Sequence, residues 1–273
     1  MPDSFSYFGG IDFSGAKEPL SNLWTAVGRE EEGKLRILAL CPHPFRADLR
    51  QYVAEGWRRQ LEVPEEESIL WGADFPFGLP SEAAQQIPSR SAAPRWREVA
   101  AWVADRPADE VRGAFPDHHR ALRRTDTGSA LPALDLRLYK QTVEGLRWLH
   151  ELREEGEVSI LPQAPSPKAK TTVVEVYPSA TVVDLGIRLR RTPSRPGEVR
   201  ARPAALRPYL SFADPSIEAI AVTLEDAWDA TIACLTAWLI REDLEQPFRI
   251  DAQQRERIEL EGWIYRTPEA LAR

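Results

Sequence analysis

The stretch Thr223–Arg241, TLEDAWDATIACLTAWLIR, reads as one helix around which the rest of the chain is organised. Between Asp226 and Arg241 its only charge is Asp229, set among Ala, Trp, Ile, Cys, Leu and Thr, so the helix is expected to be buried nearly all round. An ionised carboxylate removed from water is costly without a partner, and Asp229 therefore needs a cation, a set of donors or a wet pocket. Asp226, Asp229, Ala230 and Ala233 fall at helical spacing on one face, two carboxylates at one end and small residues below that permit close approach to a sheet. That face reads as half of a metal site. The structural alternatives are that Thr223 and Asp226 form a capping box, and that Asp229 marks an exposed notch in the helix.

Working outward, the chain has 273 residues, 43% of them hydrophobic, enough for one sheet-and-helix core with an insertion. A net charge of −7 argues against a protein that coats nucleic acid through its overall field, though not against a local basic groove beside an acidic centre. The N-terminus has no secretory pattern and no stretch is long and apolar enough to span a membrane, so the expected location is cytoplasmic, with no membrane partner. Two cysteines, Cys41 and Cys234, are too few for a disulfide framework and are expected to pack in the core.

Tyr7–Phe13, Leu23–Gly28 and Leu35–Cys41 read as a three-strand meander, with Asp12 near the end of the first strand. Arg46 to about Leu61 has helical periodicity weakened by Gly56. Ser68–Asp74 is a fourth strand, ending in a second acid before the turn-forming FPFGLP. From about Ser81 to Pro165 the pattern turns helical, over Arg95–Ala104 and over Leu134–Glu154 with an interruption at Gly145, and this is expected to be an inserted helical cap. Within it FPDHHRALRRTDTGSA is basic through Arg120, Arg123 and Arg124, followed by Arg137 and Lys140; the adjacent His118 and His119 lack the spacing of a helical zinc pair. Thr171–Val176 returns to strand, and Glu175 is a charge in an otherwise apolar run: either an added acid near the strand end or an outward residue of the pleat. Arg188–Arg207 carries seven arginines, three prolines and one acid, Glu198, and reads as a mobile basic loop. LEGWIYRTPEA closes the chain as a short apolar strand or lid.

In this order, strands one and four can lie side by side, bringing Asp12 and Asp74 to the end of a sheet where α/β sites form, with Asp226 and Asp229 arriving from the late helix. Carboxylates without His or Cys suit hard cations, Mg²⁺ or Mn²⁺. Two such ions about 3.5–4 Å apart can activate water and stabilise the leaving oxygen of a phosphodiester.

GIDFSGAK (10–17), WGADFPFGLP (71–80), EVYPSAT (175–181), DAWDATIACLTAWL (226–239) and EGWIY (261–265) together resemble the bacterial and archaeal family of predicted ribonuclease H-like nucleases filed as domain of unknown function 429. The D-x-x-D helix is also similar to that of RuvC-type resolvases, which carry a glutamate where this chain has Asp74. The resemblance implies a single α/β, ribonuclease H-like domain over residues 1–273. Its mixed five-stranded sheet would be flanked by helices, with the helical insertion (81–165) between strands four and five. It also implies a metal-dependent nuclease in which Asp12, Asp74, Asp226 and Asp229 hold metal and Glu175 is a further catalytic acid. Lys17, Arg120, Arg123, Arg124, Arg137 and Lys140 are the candidate contacts to nucleic acid. Two other classes share these features: a binding module with vestigial acids, and the actin-like ATPases and sugar kinases, whose first strand also ends in Asp before a Gly/Ser turn but which duplicate the fold.

Overall fold

The computed structural model describes residues 4–16, 22–89, 94–126, 129–187, 204–250 and 254–268. The apolar, β-branched runs form the strands β1 (Tyr7–Asp12), β2 (Trp24–Glu31), β3 (Lys34–Pro42), β4 (Ile69–Asp74), β5 (Val158–Leu161), β6 (Thr171–Val176), β7 (Leu210–Phe212) and β8 (Ile264–Tyr265). They make one mixed sheet in the order β5-β6-β4-β1-β2-β3-β7, with β8 pairing β6 beyond β5. β2 runs antiparallel to both neighbours, and every other pairing is parallel. The meander β1-β2-β3 turns at Glu32 and Gly33, both at positive φ, the conformation Gly adopts without strain.

The sheet is larger than the five strands expected. β5, β7 and β8 are short strands that add to its edges, and at four, three and two residues they have too little length to display a period of their own. β5 also lies inside the stretch expected to be a helical insertion, beyond the second of its two expected helices.

The helices follow the sequence pattern with corrections at their ends. α1 (Arg46–Gln51) and α2 (Trp57–Leu61) are joined through a π-helical turn, Tyr52–Gly56, at the glycine expected to weaken this segment. Three short or medium helices follow, α3 (Ser81–Ala84), α4 (Trp96–Ala104) and α5 (Ala108–Gly113). The long helix α6 (Tyr139–Glu155) starts five residues later than expected and runs through Gly145 without a break. Gly145 is there for contact: a Cβ at this position would lie 2.3 Å from the Phe75 ring. Beyond β6 come α7 (Pro178–Asp184), α8 (Pro215–Thr223), α9 (Glu225–Ile240), α10 (Gln246–Ile250) and α11 (Arg255–Glu261). Thr223 ends α8 rather than capping α9, whose N-cap position is Leu224 with no side-chain cap, so the capping-box reading of Asp226 is excluded.

Pleat alternation sorts the strands between two cores. Ile11 of β1, Trp71 and Ala73 of β4 and Val173 of β6 pack with Trp57, Trp148 and Leu146 under α1–α6. Phe8, Leu70, Val174 and Val176 face the other way, against Ile232, Ala233 and Trp238 of α9. Gly10 and Gly72 are register partners on the α9 face. A Cβ at Gly10 would stand 2.0 Å from the Ala230 carbonyl oxygen and one at Gly72 2.7 Å from that of Ala233. Two glycines on the sheet and two alanines on the helix thus bring backbone to backbone. Cys234 completes this seam, its thiol donating to the Phe8 carbonyl, and burial raises its pKa.

Candidate metal centre

The pleat that turns Gly10 and Gly72 towards α9 turns Asp12 and Asp74, two residues further on, the same way. They are direct partners at the C-terminal ends of parallel β1 and β4. α9, held down by the small-residue seam, carries Asp229 one turn before Ala233. As a result one carboxylate oxygen from each of Asp12, Asp74 and Asp229 lies within 4.8 Å of the other two, and this is the group of side chains able to hold a metal ion among the described residues. Asp12 and Asp229 are 7% and 3% exposed, whereas Asp74 opens partly to solvent. Such a set of oxygen donors with one wet side fits a hard divalent cation, which retains water or takes phosphate oxygens in its open positions.

The loop after β1 is fixed around this group. Arg46 donates to the carbonyls of Ser14, at 3.1 Å, and Ala16, while its guanidinium lies 3.2 Å from Glu144 of α6. Gly15 lies against the first turn of α6, where an added Cβ would meet the Gln141 nitrogen at 2.3 Å. Gln141 donates from Nε2 to the Asp74 carbonyl at 2.7 Å, tying α6 to the end of β4. Sequence reasoning did not single out Arg46, Gln141 or the glycine pair, whose contacts hold the segments that carry Asp12, Asp74 and Asp229; the spacing of Gly10 and Gly72 to the acids two residues on was the available signal.

Other expected site residues are placed elsewhere. Asp226 is half-buried in the first turn of α9 and lies outside the three-carboxylate group. Glu175 pairs in register with Ala73, not Asp74, so the pleat points it to the opposite face of the sheet. There it accepts from both terminal nitrogens of Arg123, at 2.6 and 2.8 Å, and from the Phe77 backbone N–H at 2.9 Å. Burial pushes the Glu175 carboxyl up, opposed by Arg123 and by the Phe77 N–H. The same burial would lower Arg123, but the charges of Glu175 and Asp126 outweigh it and raise the guanidinium further.

Arg123, expected to meet nucleic acid, is 3% exposed and spends its donors on Asp126, Glu175 and the Glu261 carbonyl, so a phosphate cannot reach it. Arg120, Arg124, Arg137 and Lys140 are exposed, with Arg137 paired to Asp135 at 3.0 Å. Lys17 and all of Arg188–Arg207 up to Pro203 lie outside the described residues. His118 and His119 bond to Gln86 and to the Arg112 carbonyl, away from the acids. No helix among the described residues is long and apolar enough to cross a membrane.

A family model described as "Protein of unknown function (DUF429)" matches residues 10–253, taking in all three aspartates. No curated protein and no solved structure matches the chain.

Proposed function

Since the chain belongs to this family of unknown function, its chemistry has to be read from its own residues, and we propose that it is a Mg²⁺- or Mn²⁺-dependent nuclease. The observation that carries this reading is the convergence of Asp12, Asp74 and Asp229 from two adjacent parallel strands and one buried helix onto a single point. Three acids so close are unfavourable by mutual repulsion, and a fold holds them there at a cost that a bound cation offsets.

Asp12 and Asp229, the more buried pair, would fix a cation, and Asp74 at the open side would share it or contact a second. Divalent cations in such a site lower the pKa of water and neutralise charge on a phosphodiester during in-line displacement. The chain's own contribution is positional: the Gly–Ala seam sets the height of Asp229 above the sheet, and Arg46 with Gln141 holds the rims. Exposed Arg120, Arg124 and Lys140 would supply the phosphate contacts that a protein of net charge −7 lacks globally. The meander β1-β2-β3 followed by parallel β4 and β6 supports reading residues 1–273 as one ribonuclease H-like domain with residues 81–165 inserted.

The test is a cleavage screen over single-stranded, duplex, hybrid and branched substrates in Mg²⁺ and Mn²⁺, run with wild type, Asp12→Asn and Asp229→Asn. Wild-type cleavage lost in both variants is expected. No cleavage of any substrate, together with a melting temperature that metal leaves unmoved, would overturn the reading in favour of a binding module.

A further inference from the structure

A cavity of about 150 Å³ opens beside the carboxylates, with Asp74 in the wall of both. Its sides are Phe75, Leu131, Leu138, Val176 and Ile264, and Gln141 and Tyr177 add polar edges. The buried trio Arg123, Asp126 and Glu175 contributes to the same lining. The volume decides what fits. Cavities for whole drug-sized ligands begin near ~300 Å³, whereas ~150 Å³ is the size that accommodates a single six-membered ring.

The polar lining decides further. Among the described lining residues the cation is Arg123, whose donors are already taken by Asp126, Glu175 and the Glu261 carbonyl. An anion such as phosphate therefore finds no free guanidinium there, and a neutral ring is favoured. Gln141 reinforces this, because its Nε2 is committed to the Asp74 carbonyl and its amide oxygen is left as an acceptor. Apolar walls for the faces of a ring, the Gln141 amide oxygen for its edge and an opening at Asp74 describe a place for a base rather than for a backbone.

We propose that this cavity takes one unpaired pyrimidine base of the nucleotide next to the phosphodiester being cut, so that the substrate is single-stranded or locally unpaired nucleic acid. The inference rests on the nuclease reading above and adds the substrate class. A base in a duplex cannot enter without leaving its stack, and stacking it on an apolar wall is favourable for any exposed base face. Cytosine suits the Gln141 acceptor best, since its exocyclic amino group donates.

Two measurements test it. In the first, with metal chelated, saturation-transfer NMR detects cytidine on wild type and on Leu131→Trp, a cavity-filling variant. In the second, Mn²⁺-dependent cleavage of an oligodeoxycytidylate is compared with the same strand carrying one abasic site moved stepwise along it, and with its duplex. The proposal expects cytidine contact in wild type and none in Leu131→Trp. It also expects a tenfold or larger loss of cleavage when the abasic site falls at one fixed distance from the cut, and slower cutting of the duplex. Leu138→Ala, which enlarges the cavity and guards against a misfolded tryptophan variant, should admit adenine at that position.

Cleavage that ignores the abasic site, with no cytidine contact, overturns the cavity assignment and leaves the nuclease standing. Cytidine contact without cleavage of any strand overturns the nuclease reading, and with it the assigned substrate, while the cavity remains a base site. Faster cutting of duplex than of single strand overturns the substrate class.

Discussion

Asp12 and Asp74 face each other as register partners across the parallel β1–β4 pair, and each is two residues beyond a glycine that lets α9 touch the sheet. Their separation from Asp229 is thus set by backbone packing, not by flexible side chains. Replacing Asp229 by Asn removes one of three clustered charges. The melting temperature in chelator should stay level or rise, while the upward shift that Mn²⁺ gives to wild type, and turnover, disappear. A purely structural Asp229 predicts the reverse, a loss on the order of 1–3 kcal/mol with metal response intact. Thermal melts with and without Mn²⁺ separate the two.

Gly10→Ala tests the seam. The added methyl would collide with the Ala230 carbonyl at 2.0 Å, and neither partner is the free end of a side chain. A destabilisation of about 3 kcal/mol is expected from overpacking, with weakened Mn²⁺ binding in whatever remains folded. Gly113→Ala, at the end of α5 with nothing within 4 Å of the new Cβ, is the control. It should be neutral or stabilising by about 0.5–1 kcal/mol. Equal effects in urea unfolding would show that glycine is not required at position 10.

Arg123 and Arg124 are neighbours in sequence with opposite fates. Arg123→Ala leaves Asp126 and Glu175 buried without their cation and should cost about 3–5 kcal/mol. Arg124→Ala removes an exposed side chain whose backbone N–H still reaches Glu261, and should change stability by less than ~0.5 kcal/mol. If nucleic acid is bound, Arg124→Ala alone should lower the slope of log affinity against log salt by about 1. Chemical denaturation and salt titration of the pair give both readouts.

His43, which is not one of the three clustered acids, supplies an acid-sensitive element. Burial pushes its imidazole down to about 4, only partly offset by Asp48, and Nε2 lies 2.9 Å from the Thr25 hydroxyl. Between that value and the ordinary histidine range the unfolded chain binds a proton that the folded chain refuses, so stability rises with pH there and falls on acidification. The expected loss from about pH 6.5 to about pH 4 is on the order of 3 kcal/mol, levelling below. His43→Gln should flatten this limb of the stability profile, measured by urea unfolding across that range; an unchanged limb would assign it to the carboxylates.

The parts of the fold legible in the sequence were those with dense local pattern. The meander, β4, β6 and the buried helix each carry their own period, and Asp12, Asp74 and Asp229 stand out as charges within apolar runs. Glu175 stood out in the same way and misled. Its place in the pleat depends on the register of β6 against β4, a long-range pairing that one residue decides. Arg123 read as a surface cation because its partners lie 52 and 138 residues away in sequence, at Glu175 and Glu261. The added edge strands are similarly products of tertiary pairing, since two or three residues acquire extended structure only where a neighbouring edge already exists.

The three aspartates also set a schedule for the chain as it is made. Asp229 follows Asp12 by 217 residues, which at ribosomal rates of ~5–20 residues per second is roughly 10–45 s of synthesis. Through that interval β1 and β4 can pair, but the helix that completes the acidic cluster does not yet exist, and β8, which extends the edge of β6, comes later still. Until Asp229 is made, Asp12 and Asp74 lie together without the third acid, and a cation would meet an incomplete cluster.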